Sequence, residues 1–474
     1  MKAVDRIWDM GPGPASFKLA QKIDNLSQAQ IPDHLCLLFL ITSILFSFGC
    51  KQDITLQSGP MVGYSELTEV QVWVQSIAKA NMSMRYWEVE NPEVVWTSPT
   101  VVTKEDEAFT AKLLATELEP GKTYGYSIWQ NGRQVELNYP TQFQSQSLWQ
   151  YRTDPPDFRL ALGSCTYVNE PEYDRPGEGY GGDYRVFKSL AKTNSALMLW
   201  LGDNTYYREV DFFSWKGLLH RNTHTRSISE MQALLGSTHH YAIWDDHDYG
   251  PNDAVGSWFH KDRTKRVFEL FWANNGFGNS ELPGITSTFF WNDCQFFLLD
   301  NRWNRTPKYD SADRQILGKK QIDWLISGMK RSRSSVKFVA VGGQVVNTAA
   351  VFENFANYPE ERDYLLRRIS EEGIRNVVFL TGDRHHSELS AIELPSGEMV
   401  YDFTVSPLTS GVSNVVDKEV NKNRVEGSLV QSRGYGLIDI SGPLWKRTLH
   451  FQLYDADGGL LWEYKLEPSE KEAS

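Results

Sequence analysis

Between residues 60 and 153 apolar and polar positions alternate with a period of two. Val70-Gln-Val-Trp-Val74, Ser83-Met-Arg-Tyr-Trp87 and Phe109-Thr-Ala-Lys-Leu113 each carry the pattern of a half-buried strand. Leu118-Glu-Pro-Gly-Lys-Thr-Tyr-Gly-Tyr126 reads as a turn feeding a further strand, and Asn131-Gly132 as a hairpin turn. Strands at this spacing predict a small all-β sandwich, followed by a linker at Asp154-Pro-Pro-Asp157. From Phe158 onward the pattern changes. Short apolar runs at 158–163, 196–201, 240–244, 288–299, 336–342 and 376–381 predict strands, and amphipathic stretches at 183–193, 227–236, 261–274, 312–331 and 360–372 predict helices. Their alternation predicts an α/β layered domain. Later runs at 389–394, 400–405, 435–440 and 447–454, with a turn at Asp457-Gly-Gly459, look antiparallel and are candidates for a second sheet.

Four of the apolar runs end in metal-ligand residue types: Leu160-Ala-Leu-Gly-Ser-Cys165, Leu199-Trp-Leu-Gly-Asp-Asn-Thr-Tyr206, Ala242-Ile-Trp-Asp-Asp-His-Asp248 and Val378-Phe-Leu-Thr-Gly-Asp-Arg-His-His386. A buried strand delivers side chains to its C-terminal edge, where open α/β sheets bind ligands. Gly202 permits a tight turn there, so that Asp203 can bridge two cations and Tyr206 can curl back as a phenolate. Asp245, Asp246 and Asp248 surround His247, an arrangement that is unfavourable unless a cation compensates it. Asp383 and His385, two residues apart, can point into one site from an extended segment. Cys165 is either a buried inert thiol or a thiolate ligand to iron or zinc, whereas Cys294 belongs to the core. Carboxylate, imidazole, phenolate and thiolate converging from four strands suggest a multinuclear metal site, and hydrolysis of a phosphate ester is the chemistry that most needs one.

A net charge of −12 argues against general nucleic-acid binding but not against an anionic substrate, because bound cations would dominate the local field. The four cysteines form no disulfide framework. Residues 35–49 are a 15-residue apolar stretch, short for a membrane span and suited to a signal h-region. It ends in Ser47-Phe48-Gly49-Cys50, which resembles a relaxed lipobox with Cys50 as the lipidated residue; the alternatives are a transmembrane anchor or a buried helix. The preceding 34 residues are long and mixed in charge for an n-region, as a misplaced start codon would explain. This leader predicts an extracytoplasmic lipoprotein, or a secreted or periplasmic protein.

In their order along the chain, Gly163-Ser-Cys165, Gly202-Asp-Asn-Thr-Tyr206, Trp244-Asp-Asp-His-Asp248 and Gly382-Asp-Arg-His385 resemble the alkaline phosphatase D (PhoD) family of calcineurin-like metallophosphatases. Leu299-Asp-Asn-Arg302, the stretch from Leu317 to Leu325 and Gly342-Gly-Gln344 extend the resemblance, and Leu-x-Pro-Gly-x-x-Tyr-x-Tyr resembles the fibronectin type III-like domains that precede such catalytic domains. The resemblance implies a layered α/β/β/α metallophosphatase domain over 154–474, a fibronectin III-like β-sandwich over 51–153 and a leader over 1–50. It implies Fe3+ together with Ca2+. By position, Cys165, Asp203, Tyr206 and His385 would hold the iron, and Asp203, Asp246 and Asp383 the neighbouring divalent ion. Asn252 would hold a further calcium, although Asp248-Tyr-Gly-Pro-Asn-Asp253 departs from the family's Glu-Val-x-Asn-Asn. His247 is then the proton donor to the leaving oxygen or an orienter of the site. Arg302 and Arg384 are clamps for non-bridging oxygens or structural ion pairs.

The expected activity is metal-dependent hydrolysis of a small phosphate ester by in-line attack on phosphorus, of the alkaline phosphatase type that scavenges phosphate. A phosphodiesterase or phospholipase-type hydrolase is the alternative on the same scaffold, with 166–182 and 204–226 as candidate lids. A surface binding protein with a structural metal is the reading from another class. It accounts poorly for the number of carboxylates, because a structural site is closed and holds one ion. The segment 407–433 reads as a long loop without an assigned role.

Overall fold

The alternating N-terminal segments pair into two sheets in a computed structural model, which describes residues 54–310 and 314–468. The strands are β1 (Leu56–Ser65), β2 (Val70–Ser76), β3 (Asn81–Glu88), β4 (Asn91–Thr97), β5 (Val101–Val102), β6 (Thr110–Ala115), β7 (Thr123–Gln130), β8 (Arg133–Gln134) and β9 (Gln142–Gln144). One sheet runs β1-β2-β6 and the other β4-β3-β7-β8, and Val72, Val74 and Leu113 of the first meet Met82, Met84 and Ile128 of the second in one core. β1 does not follow from sequence pattern, because Gly59, Pro60 and Gly63 interrupt its alternation. It also joins the two regions: the Tyr64 N–H donates to the Ala273 carbonyl at 2.9 Å, and Trp73 Nε1 of β2 donates to the Leu270 carbonyl at 2.8 Å. The leader ending at Cys50 lies outside the described residues. Among those residues, no helix is long and apolar enough to cross a membrane.

The second region contains β10 (Phe158–Gly163), β11 (Leu197–Leu201), β12 (His239–Ile243), β13 (Ser287–Trp291), β14 (Cys294–Leu298), β15 (Val336–Ala340) and β16 (Val377–Thr381). It continues with β17 (Glu388–Glu393), β18 (Met399–Thr404), β19 (Gly434–Ser441), β20 (Thr448–Asp455) and β21 (Leu460–Leu466). Two six-stranded sheets result, ordered β12-β11-β10-β19-β20-β21 and β13-β14-β15-β16-β18-β17. The late strands therefore do not make a separate sheet: β17 and β18 extend one sheet, and β19 to β21 extend the other. The apolar run at 288–299 is a hairpin rather than one strand, turning at Asn292 with φ of 50°.

Alternation along the central strands separates two cores. Phe296, Phe338, Val378 and Leu380 face the other sheet, whereas Phe297, Val339, Val377 and Phe379 face helices Lys319–Arg331 and Pro359–Glu371. Helix Lys319–Arg331 meets them with Ile322, Leu325, Ile326 and Met329, the spacing of one helical face. Rings stack across the inter-sheet core from Tyr241 to Phe289 at 3.7 Å and from Phe289 to Phe296 at 4.6 Å. Helix Trp215–Arg226 escapes sequence analysis because much of its inward face is polar. Arg221 binds Asp211 at 2.8 Å, and the Arg226 guanidinium lies 4.1 Å from the Trp272 ring centroid. The 154–157 segment is fastened rather than free, with Arg447 donating to the Pro155 and Pro156 carbonyls at 3.1 and 2.8 Å.

β12 opens with two buried histidines whose partners fix their tautomers. The Gln144 N–H donates to His239 Nε2 at 3.1 Å, so Nδ1 carries the proton given to the Gly63 carbonyl at 2.8 Å. Trp200 Nε1 donates to His240 Nδ1 at 2.9 Å. Burial depresses the pKa of His239 to about 4 and of His240 to about 3. As pH falls below about 6.5, the unfolded chain therefore takes up protons that the folded chain refuses, and stability falls until the folded values are reached. His239 alone accounts for a loss on the order of 3 kcal/mol. In the chelated protein, a Tm series from pH 7.5 to 4.5 is expected to be less steep for His239→Gln than for wild type. Identical slopes would refute the assignment.

Candidate metal centre

Four parallel strands of the two sheets, β10, β11, β12 and β16, lead directly into residues of the site. Cys165 stands two residues beyond β10, Asp203 two beyond β11, Asp245 and Asp246 two and three beyond β12, and Asp383 two beyond β16. Four of the predicted ligands adopt left-handed backbone: Cys165 at φ 59°, Asp203 at 53°, Asp383 at 67° and His385 at 56°. Such residues cost on the order of 1–3 kcal/mol each and are held only where the surroundings over-determine them. The strand ends also approach closely at glycine. A Cβ on Gly202, itself at φ +93°, would lie 2.7 Å from the Asp245 Cβ, and one on Gly342 would lie 2.2 Å from Asp245 Oδ2.

The sulfur, oxygen and nitrogen donors cluster around one carboxylate. Asp203 Oδ2 is 3.6 Å from Cys165 Sγ and 3.1 Å from the Tyr206 hydroxyl, which is 3.4 Å from His385 Nε2. Ser406 Oγ donates to Cys165 Sγ at 3.2 Å, a contact that favours thiolate. Ligand atoms of Cys165, Asp203 and His385 lie within 4.8 Å of one another, as do those of Asp203, Asp246 and His247. The same holds for Asp245, Asp246 and Asp383, and for Asp246, Asp253 and Glu353. Asp203 and Asp246 thus belong to more than one group, and the candidate positions form a connected chain.

Without cations, most ionisable groups of this cluster favour their neutral forms. Burial, reinforced by neighbouring carboxylates, pushes the Asp203 and Asp383 carboxyls well above the ordinary range. Burial and the adjacent Asp203 likewise push up the Cys165 thiol and the Tyr206 phenol. Asp245 rises to about 6 through burial, although Arg302 opposes the shift. Burial also acts upward on Asp246, but His247 and Arg302 outweigh it and hold that carboxyl below the usual range. His385 is lowered to about 4, by burial first and then by the neighbouring His247. A site whose thiol, phenol and most of whose carboxyls resist ionisation is one that metal binding would deprotonate. The donor set fits two kinds of ion: sulfur, phenol, imidazole and carboxylate suit iron, and clustered carboxylates suit calcium.

The predicted residues fall into place unequally. Cys165, Asp203, Tyr206, Asp246, Asp383 and His385 converge, and His247 packs its ring 4.2 Å from that of Tyr206. Its imidazole adjoins Asp203 and Asp246, so it can serve as a ligand as well as a proton donor. Asn252 lines the cavity above the site, but the carboxylate brought to Asp246 belongs to the next residue, Asp253, joined by Glu353 from a distant loop. Asp248 is structural: it accepts backbone N–H bonds from Asn204 at 3.2 Å and from Thr205 at 3.0 Å.

Of the two readings left open for the arginines, the structure shows ion pairs rather than the phosphate clamp. Arg302 is fully buried, and its donors are occupied by Asp245, Glu353 and the Ala254 carbonyl. Arg384 donates to both Glu419 oxygens at 2.8 Å and to Asn354 at 3.0 Å. Their guanidinium groups are internal ion pairs that brace the site rather than free forks. Glu419 also gives the 407–433 loop a role. That loop binds Arg384 and lays the Leu408 and Ser410 N–H groups on the Ser164 and Cys165 carbonyls at 2.8 and 3.1 Å. Above the candidate ligand cluster opens a cavity of about 740 Å3, with Tyr167, Tyr180, Phe352 and Val412 among its walls.

The two packed sheets with acidic and thiol ligands at their strand ends define a metallophosphatase fold, and comparisons with known proteins agree. The PhoD-like phosphatase family matches residues 285–446, and a domain of unknown function (DUF7800) matches residues 53–148. Alkaline phosphatase D of Bacillus subtilis (strain 168) is 23% identical over 424 residues, covering 76% of this chain and 70% of the relative. The solved structure of PhoD superposes with a TM-score of 0.71 at 17% identity, covering 89% of this chain and 92% of the other. Purple acid phosphatase PPD1 from yellow lupin (Lupinus luteus) seeds gives 0.62 at 9% identity, covering 88% of this chain and 76% of the other. The chain thus carries a PhoD-like phosphatase domain on a metallophosphatase fold; it is a phosphoesterase, and its clustered thiol, carboxylate and imidazole side chains are candidate metal ligands.

Proposed function

We propose that the protein is an alkaline phosphatase-type hydrolase of small phosphate esters. Fe3+ would be held by Cys165, Asp203, Tyr206 and His385, and Ca2+ by Asp203, Asp246 and Asp383. A further Ca2+ would sit at Asp246, Asp253 and Glu353, beside Asn252. The observation that carries this reading is the placement of Asp203, whose carboxylate lies between a sulfur, phenol and imidazole cluster and an imidazole and carboxylate cluster. Bound cations of this kind polarise phosphoryl oxygens and supply a nucleophile at accessible pH. The chain's own residues do the rest. The strand ends fix the ligand geometry, and His247 offers an imidazole nitrogen at the cavity floor to the phosphoryl or leaving oxygen. Burial lowers the pKa of His247 against the opposing pull of Asp246, which favours the neutral imidazole at alkaline pH.

The cavity supports a second reading, a phosphodiesterase. Tyr180 and Phe352 are 44% and 54% exposed at its walls, which leaves room and apolar surface for a second ester group. The apolar stretch ending at Cys50 supports an extracytoplasmic location, as a lipoprotein or a secreted protein.

One experiment tests these readings together. The full chain is assayed at alkaline pH on p-nitrophenyl phosphate and bis-p-nitrophenyl phosphate, before and after chelation and with iron and calcium restored. Activity is expected to fall at least about 100-fold on chelation and to return only with both ions. The substrate ratio separates monoesterase from diesterase, and turnover of externally added substrate by intact expressing cells tests the location. Activity indifferent to chelators would overturn the metal assignment.

A further inference from the structure

We propose that Tyr180 is a positioning residue for the metal ligand His385, fixing the imidazole's tautomer and orientation from the 166–182 loop, with Gly411 shaped to seat it. The proposal rests on the reading of Cys165, Asp203, Tyr206 and His385 as a metal pocket.

The two ring nitrogens of His385 have different neighbours. Nε2 faces the Tyr206 hydroxyl at 3.4 Å and Ser410 Oγ at 3.4 Å. Nδ1 meets the Tyr180 hydroxyl at 3.0 Å, and the Gly411 backbone, in the loop that seats Tyr180, also hydrogen-bonds the ring. When Nδ1–H donates to that phenol oxygen, the lone pair resides on Nε2, directed at the donor cluster. A second hydrogen bond of this kind is what sets the tautomer and basicity of a ligating imidazole. His385 needs such help because its backbone is left-handed, and its backbone N–H is tied separately to Ser406 Oγ at 3.0 Å.

Tyr180 is placed rather than merely nearby. A Cβ on Gly411 would lie 2.5 Å from its Cε2 and 3.0 Å from its Cζ, so no larger residue fits without displacing the ring. Its ring also stands edge-on to Tyr167 at 5.1 Å, and Tyr167 in turn lies 5.1 Å from Tyr206. Backbone bonds hold the loop. The Gly182 N–H donates to the Thr409 carbonyl at 2.8 Å, and Arg433 donates to the carbonyls of Ser410 at 2.9 Å and Tyr180 at 3.2 Å. Two loops far apart in sequence therefore meet on the outer face of one ligand.

The test compares wild type with Tyr180→Phe, which keeps the ring and loses the hydroxyl, and with Gly411→Ala, which displaces the ring. Each full chain is loaded with ferric iron and calcium. Metal content is followed during competition with a chelator, together with the visible phenolate-to-ferric absorption, kcat and KM. Both variants are expected to lose iron about 10–100-fold faster, with a weakened or shifted band. Their kcat should fall at limiting iron and recover at excess iron. Iron retention and spectrum equal to wild type in Tyr180→Phe would overturn the proposal, and a changed KM with unchanged retention would reassign Tyr180 to substrate contact. A wild-type chain that takes up no iron would instead sink the metal reading itself, so the two failures are distinguishable.

Discussion

Replacing Asp203 by Asn is expected to lower phosphoester turnover by at least about 10²–10³-fold, the scale of losing one preorganised electrostatic element, while making the metal-free protein more stable. Asp203 lies between two ligand groups, so its loss uncouples them. In the metal-free state its carboxyl is held well above the ordinary range by burial and then by Asp246, Asp245 and Asp383. Ionising it in the folded state is therefore unfavourable, and its contribution to stability declines as pH rises past the value in the unfolded chain. Asparagine removes that decline. The Tm advantage of Asp203→Asn after chelation should accordingly be larger at pH 8 than at pH 4. Wild-type turnover, or a lower Tm at pH 8, would refute the bridging assignment.

The second large effect falls on stability. Arg302→Met is expected to destabilise the chelated protein by about 3–5 kcal/mol, the usual consequence of removing one partner from a buried ionic cluster. Arg302 lies between Asp245 and Glu353, and 3.6 Å from Asp246, with none of its side chain exposed. Without it, buried carboxylates are left facing one another. Urea denaturation measures the loss. A variant of unchanged stability with a raised KM would favour the phosphate clamp, the other reading the sequence leaves open.

The fate of the two arginines marks the boundary of what sequence reading can reach. An Arg beside a metal motif is equally suited to phosphate and to carboxylate. What settles the matter is Glu353 or Glu419 arriving from a loop with no local signal of its own. Glu353 and Asp253 escaped for a related reason, since neither stands at the end of a strand of the two sheets. Helix Trp215–Arg226 escaped because hydrophobic periodicity does not register a polar inward face, and β1 because glycine and proline break its alternation. By contrast, Cys165, Asp203, Asp246 and Asp383 were legible because each ends a continuous apolar strand.

The sequence by itself determined the strands and the candidate ligands at their ends, because burial of a short apolar run and the turn that follows it are local events. Only the tertiary structure decided which candidate ligands lie together, which arginines are consumed by carboxylates, and that Tyr180 and Gly411 meet at His385. Those outcomes depend on distances between loops tens to hundreds of residues apart, which are set by how the two sheets pack and not by any pattern along the chain.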